Sequence, residues 1–157
     1  MPGLLATLER LSREHGQIDW NEALLGAAEV AEAGFVISEH FARVLRNSAE
    51  DLKRFPASAR VLLDPSGQPW SSGHLLRQPD LAQTLRHIAE QGIAWFYHGE
   101  FAELAAAYLR EAGGVMAASD FANYETLFRR AIQTQYRGNS IMAFHHPAPA
   151  ASMTHRC

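Results

Sequence analysis

The sequence predicts a mainly α chain that closes with a short C-terminal β-hairpin. Apolar residues return every three or four positions in five separate stretches, the mark of helices with one buried face. These stretches open at prolines or side-chain caps and mostly stop at glycines, as helix ends require. Beyond residue 130 the pattern changes to two short strand-like runs around an Arg-Gly turn.

Leu4, Leu8 and Leu11, with Leu5 beside them, line one face of a first helix between Pro2 and Gly16. Asp19 stands at the N-cap of a second, with Glu22 placed to answer it in a capping box. Leu24, Leu25, Ala28 and Ala31 form its apolar face, and Gly34 ends it. Ser38 caps a third helix through Phe41, Val44 and Leu45, and Ser48 and Asp51 start a further turn before Phe55-Pro56. From Pro56 to Pro79 the Pro, Gly and Ser content reads as a structured loop containing the turn Asp64-Pro65-Ser66-Gly67. Pro79 suits a first helical position, and Leu81, Leu85 and Ile88 follow on one stripe up to Gly92. A short turn around Trp95, Phe96 and Tyr97 leads into a helix through Phe101, Leu104, Ala105, Tyr108 and Leu109, which stops at Gly113-Gly114. A small helix is expected near Asp120 to Tyr124. Ile132 to Tyr136 and Ile141 to Phe144 are the strands of the hairpin, joined through Arg137-Gly138-Asn139. A lone hairpin is marginal in water, so it must pack on the helices or complete a sheet that these residues do not encode. Residues 1–144 read as one region and residues 145–157, Pro- and Ala-rich without periodicity, as a disordered tail.

The composition, 47% hydrophobic and 20% charged, is that of a chain able to bury a core. Its 14 basic residues are scattered among 17 acidic ones for a formal charge of −3, which offers no footprint for a polyphosphate backbone, so no nucleic-acid partner is expected. No apolar run approaches the ~18 residues of a membrane span, and Glu9 and Arg10 interrupt the N-terminal leucine pattern, unlike a secretory leader. As written, the chain is expected in the cytoplasm. Its single cysteine, Cys157, leaves no intrachain disulfide to form.

Side chains of types able to carry chemistry each have a plainer reading. His145, His146, His155 and Cys157 do not follow a zinc-ligand spacing and read as part of the tail. His98 and Glu100 form His-x-Glu, but the Cys-x-x-Cys that accompanies it in zinc deaminases is absent from the sequence. His87 and Glu90 lie one turn apart on a solvated helix face, where a pair contributes only ~0.2–0.5 kcal/mol. Trp95, Phe96, Tyr97 and Phe101 read as packing between two helices rather than a ligand cage. Phe128, Arg129 and Arg130 read as a solvated strand or helix edge. No catalytic residue, metal ligand or cofactor is assigned, and no substrate-binding residue is identified.

Several words of the sequence are more specific than its periodicity. Leu76-Arg77-Gln78-Pro79-Asp80-Leu81-Ala82 runs on through Leu85 and Ile88-Ala89-Glu90 to Gly92. Phe96-Tyr97-His98-Gly99 follows, then Gly113-Gly114, then Asp120-Phe121-Ala122-Asn123-Tyr124. Upstream stand Pro2-Gly3 and Ala31-Glu32-Ala33-Gly34-Phe35, and downstream Tyr136-Arg137-Gly138. In this order the words resemble the large subunit of the γ-glutamyltransferase family, from Pro2 to about Phe144. The sequence departs from that family at Ala117, where a threonine or serine usually caps the next turn; the loss is worth roughly 1 kcal/mol unless Ser119 caps instead. It departs again at His145-His146-Pro147-Ala148-Pro149-Ala150, which replaces the family's approach to Ser-Ser-Gly-Gly.

The resemblance implies part of a four-layer αββα N-terminal-nucleophile hydrolase, whose terminal threonine attacks γ-glutamyl amides such as that of glutathione. It also implies that the nucleophile, the oxyanion donors and the substrate-carboxylate arginine lie outside this span. Met153-Thr154-His155 is only faintly similar to the nucleophile strand, and too little chain follows to hold a threonine in place. The expectation is therefore a segment inactive alone, with a complementing small-subunit-like chain or self-association. The alternative is a non-catalytic helical interaction module.

Overall fold

A computed structural model describes residues 2–143, which fall into two compact units, one ending at Tyr124 and one beginning at Glu125. The tail residues, including Phe144, His145, His146, Thr154, His155 and Cys157, lie outside the described residues. The first unit is helical: α1 Leu4–His15, α2 Trp20–Ala33, α3 Glu39–Asn47, α4 Ala49–Lys53, α5 Pro56–Leu62, α6 Pro79–Gln91, α7 Ile93–His98, α8 Glu100–Glu111 and α9 Ala118–Ala122. Two two-residue strands, β1 Phe35–Val36 and β2 Leu75–Leu76, pair antiparallel within it. The mainly α expectation matches this architecture.

Helix boundaries follow the caps. The Asp19 carboxylate accepts from the N–H groups of Asn21 and Glu22 at 2.8 and 3.2 Å, and Ser38 Oγ accepts from Phe41 N–H at 3.2 Å. Pro79 occupies the first turn of α6, whose end is marked by Gly92 at φ 78°. Alanines govern the packing of the longest helices: Ala28 and Ala31 of α2 meet Ala82 of α6, and Ala28 and Ala82 are fully buried. Small side chains let these two backbones approach closely. Leu24, Ile88 and Ala89 extend the same seam. Arg86 forks onto the Glu32 carboxylate at 2.5 and 3.3 Å, bridging the two helices on the surface.

Three local expectations are corrected, at Pro56, at Trp95 to Tyr97 and at Ala117. Pro56 opens a helix instead of a loop, because its ring presets the first-turn φ while Val61 and Leu62 pack against the cluster Ile37, Ala42, Leu45 and Leu76. Trp95, Phe96 and Tyr97 lie in α7 rather than in a turn. The further turn expected from Ser48 does form, as α4 with Ser48 at its N-cap, although the Ser48 side chain makes no capping bond and its N–H closes α3 onto the Val44 and Leu45 carbonyls. At Ala117 the missing cap acceptor is not replaced by Ser119; the Asp120 carboxylate instead accepts from the Ala117 N–H at 2.8 Å. Alanine has no acceptor to return the bond, so only this half of a side-chain capping box forms.

The second unit contains the predicted hairpin, β3 Ile132–Tyr136 and β4 Asn139–Ala143, in the register Ile132↔Ala143 to Tyr136↔Asn139. The turn has two residues, not three: Arg137 at φ 48° and Gly138 at φ 80° supply the left-handed pair that matches strand twist, and Asn139 already belongs to β4. Ile132, Thr134, Tyr136, Asn139, Ile141 and Ala143 share one face by strand alternation, and Gln133, Gln135, Ser140 and Met142 share the other. The segment with Phe128, Arg129 and Arg130 has no regular structure, so the strand or helix edge expected there is not formed.

Gly26 and Gly34 respond oppositely to a methyl group. Gly26 sits inside α2 with nothing within 4 Å of an added Cβ, so Gly26→Ala should stabilise by roughly 0.5–1 kcal/mol. Gly34 has φ +90°, and a Cβ there would lie 2.7 Å from Arg77 Cγ and 2.8 Å from the Leu76 carbonyl oxygen. Gly34→Ala should therefore cost about 1–3 kcal/mol. Urea unfolding of both variants checks the pair, and equal effects of one sign would contradict it.

Candidate functional site

The specific words of the sequence meet in space at two places, both inside the helical unit. At the first, Pro2-Gly3, Tyr97 and Tyr124 come together. The Tyr97 hydroxyl donates to the Pro2 carbonyl at 2.7 Å and accepts from the Ala6 N–H at 3.1 Å. Gly3 stands at the N-cap of α1 without a side chain, so the phenol satisfies a helix donor that a Ser or Asp would otherwise serve. Tyr97 and Tyr124 stack at 5.9 Å and 11° between planes. A Cβ on Gly3 would overlap the Tyr124 hydroxyl and come 2.5 Å from Tyr124 Cζ. Glycine is thus required here by close approach, not by its φ of −95°.

Around this contact Phe96 stacks on Phe101 at 4.1 Å, and Trp95 and Phe121 close the group. The aromatic cluster is core packing, as its spacing between two helices predicts. Tyr97 is 5% exposed, and burial raises its phenol above the usual tyrosine value, opposed by the bond from Ala6 and reinforced by Tyr124.

At the second place Ala31-Glu32-Ala33-Gly34-Phe35 meets Leu76-Arg77-Gln78-Pro79. Phe35 pairs with Leu76 and Val36 with Leu75. Gln78 N–H donates to the Ala31 carbonyl at 2.7 Å, and Arg77 Nε donates to the Ala33 carbonyl at 3.1 Å. The end of α2 and the start of α6 are therefore spliced by one backbone and one side-chain bond, both onto α2 carbonyls. Two-residue strands carry no alternation, which is why the sequence did not reveal them.

The remaining candidates stay apart. His98 closes α7 and Glu100 opens α8, both on the surface. His87 sets its ring edge-on to Trp95 at 5.0 Å rather than pairing with Glu90. Among the described residues no three His, Cys, Asp or Glu side chains are placed to share a metal ion, and no helix is long and apolar enough to cross a membrane. Sequence reading passed over one feature, an open cleft beside Arg60 and Trp70. Its walls come from the end of α4, from α5 and from the segment after it, where the Pro, Gly and Ser content carries no periodic signal.

These contacts define a helical scaffold whose distinctive residues brace one another. The gamma-glutamyltranspeptidase family pattern matches residues 1–154, and the chain belongs to that family. Glutathione hydrolase proenzyme 2 of Schizosaccharomyces pombe is 34% identical over 149 residues, covering 90% of this chain and 23% of the relative. The acylase ACY 1 proenzyme of Pseudomonas sp. strain V22 is 35% identical over 99% of this chain and 27% of its own length. The chain thus spans about a quarter of these curated relatives. Among solved structures, the γ-glutamyltranspeptidase of Helicobacter pylori superposes with a TM-score of 0.88 at 28% identity, over 94% of this chain and 42% of that one.

The Tyr97 contact makes two testable demands. Gly3→Ala should destabilise by about 2 kcal/mol or more, with partial relief in the Gly3→Ala/Tyr124→Phe double variant, as read by thermal or urea unfolding. Because the folded state favours the neutral phenol, stability should be complete below the unfolded tyrosine value of ~10 and fall as pH rises through the raised folded value. Tyr97→Phe should flatten that alkaline decline, and an unchanged slope would exclude the linkage.

Proposed function

We propose that these residues form a large-subunit segment of an αββα N-terminal-nucleophile hydrolase, supplying helical scaffold to a protein that hydrolyses or transfers γ-glutamyl groups such as that of glutathione. The carrying observation is that the family's words, from Pro2-Gly3 to Tyr124, are occupied in holding helices together. None of these side chains is left poised as a nucleophile beside a base and an oxyanion pocket, the constellation that amide cleavage needs. The scaffold reading is also supported by its relatives. Glutathione hydrolases and an acylase match this segment at 34% and 35% identity, so substrate choice falls to residues elsewhere in such proteins.

On this reading the segment is inactive alone and works with a complementing chain. Purified protein incubated with γ-glutamyl-4-nitroanilide should release no nitroaniline above the blank. Turnover that persists through rigorous purification would refute the reading.

A second reading, a non-catalytic interaction module, draws on the apolar surface. Leu4, Leu8 and Leu11 form an outward stripe on α1, with Leu4 72% exposed, and Leu104 and Tyr108 do the same on α8. Apolar surface arranged in this way favours association. Light scattering should show self-association that Leu4→Glu/Leu8→Glu reduces, whereas a strictly monomeric profile counts against the module.

A further inference from the structure

Two adjoining clefts, of about 580 and 430 Å³, meet at Arg60 and Trp70, which line both. Their sizes fall in the range of small-molecule sites. The junction is rigid. Trp70 donates its indole N–H to the Val61 carbonyl at 3.0 Å and stacks on His74 at 3.7 Å with 4° between ring planes. Beneath it Leu63 and Leu76 are buried, and the strand pairing of Leu75 and Leu76 fixes the segment that carries His74. Such a platform needs little reordering to receive a ligand.

The charges divide unequally between the two clefts. In the larger, Asp64 already accepts three bonds from its own turn, from Ser66 N–H, Ser66 Oγ and Gln68 N–H at 2.6 to 2.9 Å, and apart from the cations Lys53 and Arg60 the rest of its lining is uncharged, with Pro56, Ala59, Leu63 and Trp70 among it. In the smaller, Arg60, His74 and Arg77 face a single acid, Asp80. Arg60 pairs with Asp80 at 3.0 Å, but the two side chains are 73% and 78% exposed. A pair so open to water holds its partners weakly, so Arg60 can accept a second carboxylate. Arg77 is oriented by its Nε bond to Ala33, which leaves its terminal nitrogens without another protein partner among the described residues.

We propose that this junction binds a small aromatic carboxylate. Its flat apolar body lies along Trp70 and Leu63 in the larger cleft, and its carboxylate is held by Arg60 and Arg77 in the smaller. The arrangement is one of apolar wall and convergent donors, and guanidinium groups suit planar carboxylates in particular. The site shares Arg77 with the contact between α2 and α6, but ligand binding here requires neither the family's reaction nor a complementing chain, so its test fails or succeeds independently of the scaffold reading.

Calorimetric titration of the intact chain with 2-naphthoate at low salt tests it, with 2-naphthalenemethanol as the neutral match. Saturable one-site binding of naphthoate is expected, about tenfold tighter than the alcohol. Arg60→Gln should remove most of that preference while circular dichroism shows the fold intact, and Trp70→Phe should weaken both ligands. Absence of saturable binding up to the solubility limit, equal affinity for the alcohol, or an unchanged preference in Arg60→Gln would overturn the proposal.

Discussion

The helical unit depends on one buried hydroxyl. Tyr97 uses both its donor and its acceptor, binding the Pro2 carbonyl and the Ala6 N–H, partners more than ninety positions away. Without these bonds the start of α1 would leave a helix N–H and a carbonyl unsatisfied against an aromatic core, where unpaired polar groups are costly. The same contact fixes where Tyr124 stacks, and Tyr124 in turn leaves room only for glycine at position 3. One phenol therefore sets the entry of α1, the seat of α7 and the end of the helical unit.

A second splice has a different character. Where α2 ends and α6 begins, the last carbonyls of α2 are the acceptors, reached by the Gln78 backbone N–H and by the Arg77 side chain. Gly34 permits it because its positive φ and missing Cβ let Leu76 and Arg77 approach. Between the two splices, Ala28, Ala31 and Ala82 bring α2 and α6 together without bulk. Conserving volume in this seam matters more than adding apolar area, since close helices leave no space for a larger side chain.

Family membership in this chain is carried by residues that pack and cap. Many of the residues that resemble the gamma-glutamyltranspeptidase family, from Pro2-Gly3 to Tyr124, hold its helices in register. Such words survive substitution poorly, since a close approach or a positive φ admits few alternatives. That explains how a segment spanning about a quarter of its curated relatives still keeps a legible identity. It also explains why sequence words recognised the family without exposing a reaction centre.

Helix positions at Asp19, Ser38 and Pro79, and the turn before β4, were determined by the sequence itself. Caps, prolines and apolar spacing act between residues only a few positions apart. The α5 helix, the β1–β2 pairing, the tyrosine contact and the Arg60–Trp70 junction were decided only by tertiary structure. Pro56 could stop or start a helix until Val61 and Leu62 found a core, and Phe35 had no strand signal until Leu76 lay beside it. Local spacing fixes backbone torsions, whereas contacts between distant residues depend on how whole helices pack, and no short stretch of sequence carries that information.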